Sequence, residues 1–531
     1  MTYKRHLKTA LTRYVCQRTG IIALFLIANL LLPPGPGWGE GAAYAAEFRV
    51  GLENAPKTLD PRYATDAYGM RITQHLIFDT LVTLGYDLQI EPSLATRWET
   101  PDDTTYIFHL KDGVTFHDGT PFTAEDVKFT FEHLMDETTK SPFAGTYKGK
   151  ISRIEVLDPK TIKFVLTQPV ASFLTSIILP VLPRHIIEGG QDFPTTLIGT
   201  GPFKFVSQSP TDLRFEANKK YWEDPPGCDR IIFKVVKDEN TRFLKMKKEE
   251  IDLLVNALSS DKIKFFASGA LHKAYQVIEE PGISYNYLAF NMADEKMKDN
   301  TLRQAIAHGI DVDEIIKYKL AGHAIRARGL LSPVNWFSEP DVPVMVYDPE
   351  KARQLLDKAG YKDPDGDGPR TRLTVEMKTS NNAEITAIAR IIQAQLLKIG
   401  IHMDLKSYEW GTFYGDIKSG NFQMTSMRWV GVTEPDFYYD LFHSSQVPPA
   451  GRNRGRYINA RVDDLVQQGR VTLDPDARKR IYSKIQTIVA GELPYISLWH
   501  LNNVSVVHRR VKNYRQHPMA GFFSFKDIRV E

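Results

Sequence analysis

The sequence predicts a mixed α/β fold with more than one sheet, and three features carry that reading. Leu373, Val375 and Met377 alternate as a strand. Ile385, Ile388, Ile392, Leu396 and Ile399 recur at helical spacing up to Gly400, and Ile401, Met403 and Leu405 alternate again. A right-handed crossover makes two such strands parallel. In the first half, residues 106–110 and the stretch through Val114 and Phe116 also alternate. Asp112-Gly113 lies between them, which predicts a hairpin. The third feature is length: 531 residues exceed one hydrophobic core, so two or three domains are expected.

Taken in order from the N-terminus, residues 1–20 are basic and polar and residues 21–32 are an apolar run. Ala43-Tyr44-Ala45 is a small-x-small cleavage site, and together these are the parts of a secretory signal peptide at 1–45. An apolar helix of that length spans about 18 Å, short of the roughly 30 Å hydrocarbon core. Pro33, Pro34 and Pro36 stop it at once. No cysteine stands at the cleavage site for lipid attachment and no Arg-Arg pair precedes the run, so general secretion with cleavage and a periplasmic product are expected.

That segment also explains the charge. The chain has 67 Lys plus Arg against 64 Asp plus Glu. Five of the cations (Lys4, Arg5, Lys8, Arg13, Arg18) and one anion (Glu40) lie in residues 1–45, leaving 62 against 63 in the body. A near-neutral body does not suit nucleic acid, which requires a cationic surplus. The 42% hydrophobic and 25% charged residues exclude disorder and a multi-span membrane protein. Of the two cysteines, Cys16 falls in the leader and Cys228 is left as a lone thiol, so no internal disulfide or Cys-rich zinc module is expected.

Further along, Thr123-Ala-Glu-Asp126 reads as an N-cap with an acid three residues on, opening a helix through Val127, Phe131 and Leu134. Asp348-Pro349 opens another, with Leu355, Leu356 and Ala359 as its stripe and Gly360 as its end. Catalytic motifs are missing: there is no H-E-x-x-H, G-x-S-x-G or strand-linked G-x-G-x-x-G. Gly145 to Ile151 is a distorted P-loop echo that reads as a loop, and His109 and His117 read as hairpin residues rather than metal ligands. Asp363, Asp365 and Asp367 with Gly368 reproduce the start of a calcium loop, but Thr374 stands where a bidentate Glu is needed. The competing reading is an Asp/Gly/Pro turn before the next strand.

Several segments then agree, in order, with one family. They are Pro56-Lys-Thr-Leu-Asp60-Pro61, Ile77-Phe-Asp-Thr-Leu81-Val82, Glu91 to Glu99, Phe108 to Val127, Gly199-Thr-Gly-Pro-Phe203, Arg303 to Ala307, and Ala394 to Ile401. The chain resembles the family 5 extracellular solute-binding proteins of ABC transporters, the oligopeptide, dipeptide and nickel binders. The resemblance implies a two-lobed periplasmic-binding-protein fold with an extra inserted subdomain and a ligand cleft between the lobes. It places the first lobe at 46–88, 196–280 and 496–531, the insertion at 89–195 and the second lobe at 281–495, with crossings near Gly282 and residues 492–494. It implies a monomer without enzymatic activity, which hands its solute to a membrane permease driven by ATPase subunits.

The resemblance also implies a site in which an extended peptide exchanges backbone hydrogen bonds with the protein. Its candidate residues are Tyr68, Trp410, Arg428, Trp429, Val430, Gly431, Glu434 and Asp436. Trp410 and Trp429 are read as flat apolar walls, with core packing as the competing reading. Peptide-binding relatives carry an Asp three residues after the second tryptophan to hold the ligand α-ammonium, whereas this chain has Val432. Either Glu434 or Asp436 takes over, or the ligand has no free amino terminus there. Arg428 suits a carboxylate or phosphate, and Arg452, Arg454 and Arg456 add positive charge nearby. A peptide is the leading ligand. A nickel chelate, oligosaccharide or acidic metabolite is the alternative, and a secreted hydrolase is a minor third.

Overall fold

The computed structural model describes residues 46–531 except Asp192, Pro194, Thr195 and Asp367, so the leader read at 1–45 lies outside the described residues. An 11-stranded sheet runs through both lobes. At its centre the long strands Tyr275–Phe290 and Tyr495–His508 lie antiparallel. Met424–Trp429, Leu373–Ser380 and Ile401–Tyr408 extend the sheet on one side. Leu253–Val255, Glu47–Leu52, Arg230–Val235, Asp212–Ala217 and Phe203–Gln208 extend it on the other, and the short Ala324–Arg326 pairs with Tyr495–His508 off this path.

The two central strands pass from lobe to lobe. Residues 275–281 pair with 502–508, residues 284–289 pair with 495–501, and the register shifts between Pro281 and Ser284. Gly282 sits in that shift, where a Cβ would lie 2.5 Å from the Leu501 carbonyl oxygen. Only glycine lets the two backbones approach so closely. Tyr495–His508 runs unbroken through 495/496, and its register shift falls at Leu501 and Asn502.

Separate cores follow the lobes. Phe48, Val50, Phe215, Ile231 and Phe525 belong to the first-lobe core, and Leu302, Ile306, Met377, Ile392 and Leu396 to the second. The insertion has its own core between Leu81 and Val181, packed on a four-stranded antiparallel sheet. Leu182, which falls in the range read as the insertion, packs in the same core as Phe48 and Phe215.

The strand–helix–strand unit forms as its periodicity dictates: Leu373–Ser380, helix Ala383–Leu397 and Ile401–Tyr408, with the strands parallel. Helix Pro349–Lys358 is capped by Asp348, and Ala124–Met135 by the Thr123/Asp126 capping box. The hairpin expected around Asp112-Gly113 does not form. Thr105–Leu110 pairs instead with Ala95–Asp102 and Thr161–Leu166. The tight turn falls earlier, where Asp102 Oδ1 accepts from Thr104 N at 2.8 Å and Thr104 Oγ1 at 2.9 Å. Gly113 does take φ 73°, but that conformation is local and does not choose strand partners. His109 lies on a strand beside Glu99, whereas His117 lies in the turn beyond and bonds Gly201 O at 3.0 Å.

One family segment proves structural. Asp79 is buried and accepts from Thr200 Oγ1 (2.9 Å), Tyr221 Oη (3.0 Å) and Trp222 Nε1 (2.8 Å). It joins the segment at 77–82 to the one at 199–203. At Gly199 a Cβ would meet the Ile77 carbonyl oxygen at 2.0 Å, which explains the glycine at that contact.

Candidate functional site

Between the lobes lies a cavity of about 610 Å³. The first lobe contributes Arg71 and the loop at 518–521, the crossing contributes Ser284 and Asn502, and the second lobe contributes Glu384 and Arg428. A second cavity of about 300 Å³ opens on the second-lobe side, shares Arg428, Val430 and Glu384, and is walled by Trp410.

The strand Met424–Trp429 positions the second-lobe face. Along one edge it pairs with Tyr285 to Phe290 throughout, but on the other it meets Leu373–Ser380 only at Met424 and Thr425. From Ser426 onward that edge carries no ladder among the described residues, and it borders the cavities. An extended ligand can therefore add there as a strand, the backbone exchange that sheet edges permit. Val430 is exposed and Gly431 takes φ 75°, turning the chain out of the strand.

Strand alternation separates two neighbours. Arg428 is exposed and lines both cavities. The Trp429 ring points the other way, stacked on Tyr287, edge-on to Phe437, with the Arg454 guanidinium 4.6 Å from its centre. Trp429 is thus a half-buried part of the second-lobe core and not a wall of the cleft cavities, which corrects its reading as a ligand platform. Trp410 is 53% exposed and stacks on Tyr414 beside the smaller cavity. Tyr68 packs half-buried against the first-lobe core with Arg71 over its ring, and its neighbours Ala67 and Met70, rather than its own side chain, line the cleft.

The acids proposed to replace Val432 are engaged elsewhere. Val432 itself is buried in the second-lobe aromatic cluster, so an acid at that place would not face the cleft cavity. Glu434 pairs with Arg478 and accepts from Thr175 Oγ1 at 3.0 Å. Burial pushes its carboxyl upward against the pull of Arg478. Asp436 meets Arg470 Nε at 3.1 Å. The Thr175 contact crosses from the insertion to the second lobe, and so does Ala171 N donating to Arg470 O at 2.8 Å. Beside these contacts a cavity of about 340 Å³ is walled by Trp98, Tyr106, Trp336 and Phe337.

Sequence reasoning missed Arg71 and Glu384. Arg71 donates to Met519 O at 3.2 Å, and burial holds its guanidinium below the usual range. Glu384 is an exposed first-turn residue of the helix Ala383–Leu397 and lines both cavities. Neither stands out from its neighbours in the sequence, since each follows ordinary helix spacing.

In the 363–368 loop, Asp363 meets Arg372 at 3.2 Å and Asp365 meets Arg370 at 3.3 Å, while Asp367 lies outside the described residues. Among the described residues no group of three or more His, Cys, Asp or Glu is placed to hold a metal ion. Cys228 is buried and free, its thiol pushed up to about 12 by burial.

A chain of two lobes threaded by paired strands, with a cavity between them, is a two-lobed binding protein. Residues 89–448 match the family described as Bacterial extracellular solute-binding proteins, family 5 Middle, and the chain belongs to that family. It is 28% identical over 511 residues to the dipeptide-binding protein of Escherichia coli K12, covering 90% of this chain and 94% of that one. The oligopeptide-binding protein AppA of Bacillus subtilis, solved in complex with a nonapeptide, superposes with a TM-score of 0.70 at 27% identity. That match covers 91% of this chain and 99% of AppA. NikZ of Campylobacter jejuni, solved in complex with Ni(L-His), superposes at 0.68 with 27% identity, covering 88% and 94%.

Proposed function

We propose that the protein is the periplasmic solute-binding component of an ABC importer. It captures a peptide between its lobes and delivers it to a membrane permease driven by ATPase subunits. The observation that carries this reading is the unpaired edge from Ser426 to Val430, open to an interlobe cavity of about 610 Å³. The ligand backbone completes the sheet there, so affinity comes from main-chain bonds and side-chain selectivity is left to the cavity walls. Among the described residues no helix is long and apolar enough to cross a membrane.

A non-peptide solute such as a nickel chelate is the second reading. It draws support from Val432, Glu434 and Asp436, none of which presents a carboxylate to the cleft cavity. A thermal-shift panel of di- to pentapeptides separates the two, because a ligand that binds only the folded state raises the melting temperature. Peptides are expected to raise it without being cleaved. A shift with a nickel chelate and with no peptide overturns the peptide reading.

A further inference from the structure

Resting on the reading of a peptide-binding cleft, we propose that this site selects peptides of net negative charge. Ligand carboxylates are seated on Arg71 from the first lobe and Arg428 from the second. Both side chains line the same cavity, and among the described residues neither has an ion-pair partner. Other arginines of the region are already engaged: Arg478 by Glu434, Arg470 by Asp436, Arg452 by Asp440, and Arg454 by the rings of Trp429 and Tyr414.

The remaining titratable groups of the cavity sharpen the balance. Glu384 is its one carboxylate among the described residues. His323 is paired with Glu279 at 2.9 Å, and burial keeps His75 neutral. A simple zwitterionic peptide brings one ammonium, which Glu384 suits, and one carboxylate, which satisfies one arginine. Closing the lobes then strips water from the second guanidinium with nothing to replace it, and desolvating an unpaired charge is costly. A further carboxylate on the ligand removes that cost and ties the two lobes together through the two arginines. Guanidinium and carboxylate suit each other geometrically, since two parallel N–H···O bonds can form.

The test is isothermal titration of the mature chain with isosteric pairs, Ala-Glu-Ala against Ala-Gln-Ala and the corresponding pentapeptides extended by alanine at both ends. The Glu peptide is expected to bind at least about tenfold more tightly, a difference of about 1.4 kcal/mol. The preference is expected to collapse in Arg428→Gln, whose exposed position leaves folding intact, and in Arg71→Gln. Equal affinity for the two members of a pair overturns this inference while leaving peptide binding in place. Heat with neither member, at either length, overturns both readings. A preference that survives both substitutions overturns the assignment to these arginines.

Discussion

Replacing Thr175 by Val removes the hydroxyl that donates to Glu434 Oε2 at 3.0 Å across the gap between the insertion and the second lobe. The side chains are nearly isosteric, so packing is kept. A hydrogen bond to a charged group contributes about 1.5–3 kcal/mol net. Glu434 keeps Arg478 in the variant, which puts the loss near the lower limit, about 1.5 kcal/mol. The contact joins the insertion to the second lobe and belongs to neither core, so if opening the lobes breaks it, the loss falls on the closed form alone. If the free protein is mostly open, affinity drops by the same factor as the closing equilibrium, about tenfold. Isothermal titration with a tripeptide that the parent binds measures it, with a chemical denaturation curve alongside. An unchanged Kd refutes the reasoning. So does a stability loss as large as that of a core variant, because the contact would then hold the fold rather than the lobes.

Three further outcomes are expected. Gly282→Ala places a Cβ 2.5 Å from a backbone oxygen at the crossing and should cost about 1–3 kcal/mol in urea unfolding, whereas a neutral result would mean the strands part there easily. Asp79→Ala leaves the Thr200, Tyr221 and Trp222 donors without their buried acceptor and should destabilise by about 3 kcal/mol or more, read from the same curves. His500 and His517 are fully buried, and burial lowers each to about 4. The unfolded chain therefore binds more protons below the ordinary histidine value near 6.5, and stability falls as pH drops from about 6.5 towards 4. At pH 5 each histidine removes about 2 kcal/mol relative to pH 8. Unfolding midpoints that stay flat from pH 7 to 5 would contradict this.

What the sequence made legible was local or shared by many segments at once. The caps at Thr123, Asp348 and the glycine ends at Gly360 and Gly400 are written within a few residues, and the parallel pair Leu373–Ser380 and Ile401–Tyr408 follows from periodicity and chirality. The hairpin at Asp112-Gly113 failed because turn chemistry reports a backbone angle, while strand partners are chosen by the core around Phe108 and Phe164. The site shows the same division. Arg428, Val430 and Gly431 were legible as cleft residues through the segment that holds them. Trp429 was not separable from them until the strand's orientation placed its ring against Tyr287. The engagement of Glu434 and Asp436 depends on Arg478 and Arg470, which lie in later helices and leave no trace near the acids. Arg71 becomes notable only because tertiary burial leaves it without an acid.

Native mass spectrometry of the protein purified from a periplasmic extract, followed by denaturation and sequencing of whatever is released, tests the central claim most directly. The account predicts a noncovalent adduct that leaves on unfolding, fragments as a short peptide and carries more carboxylates than amines. An adduct that yields no amino-acid fragments, such as a metal chelate or an oligosaccharide, contradicts it.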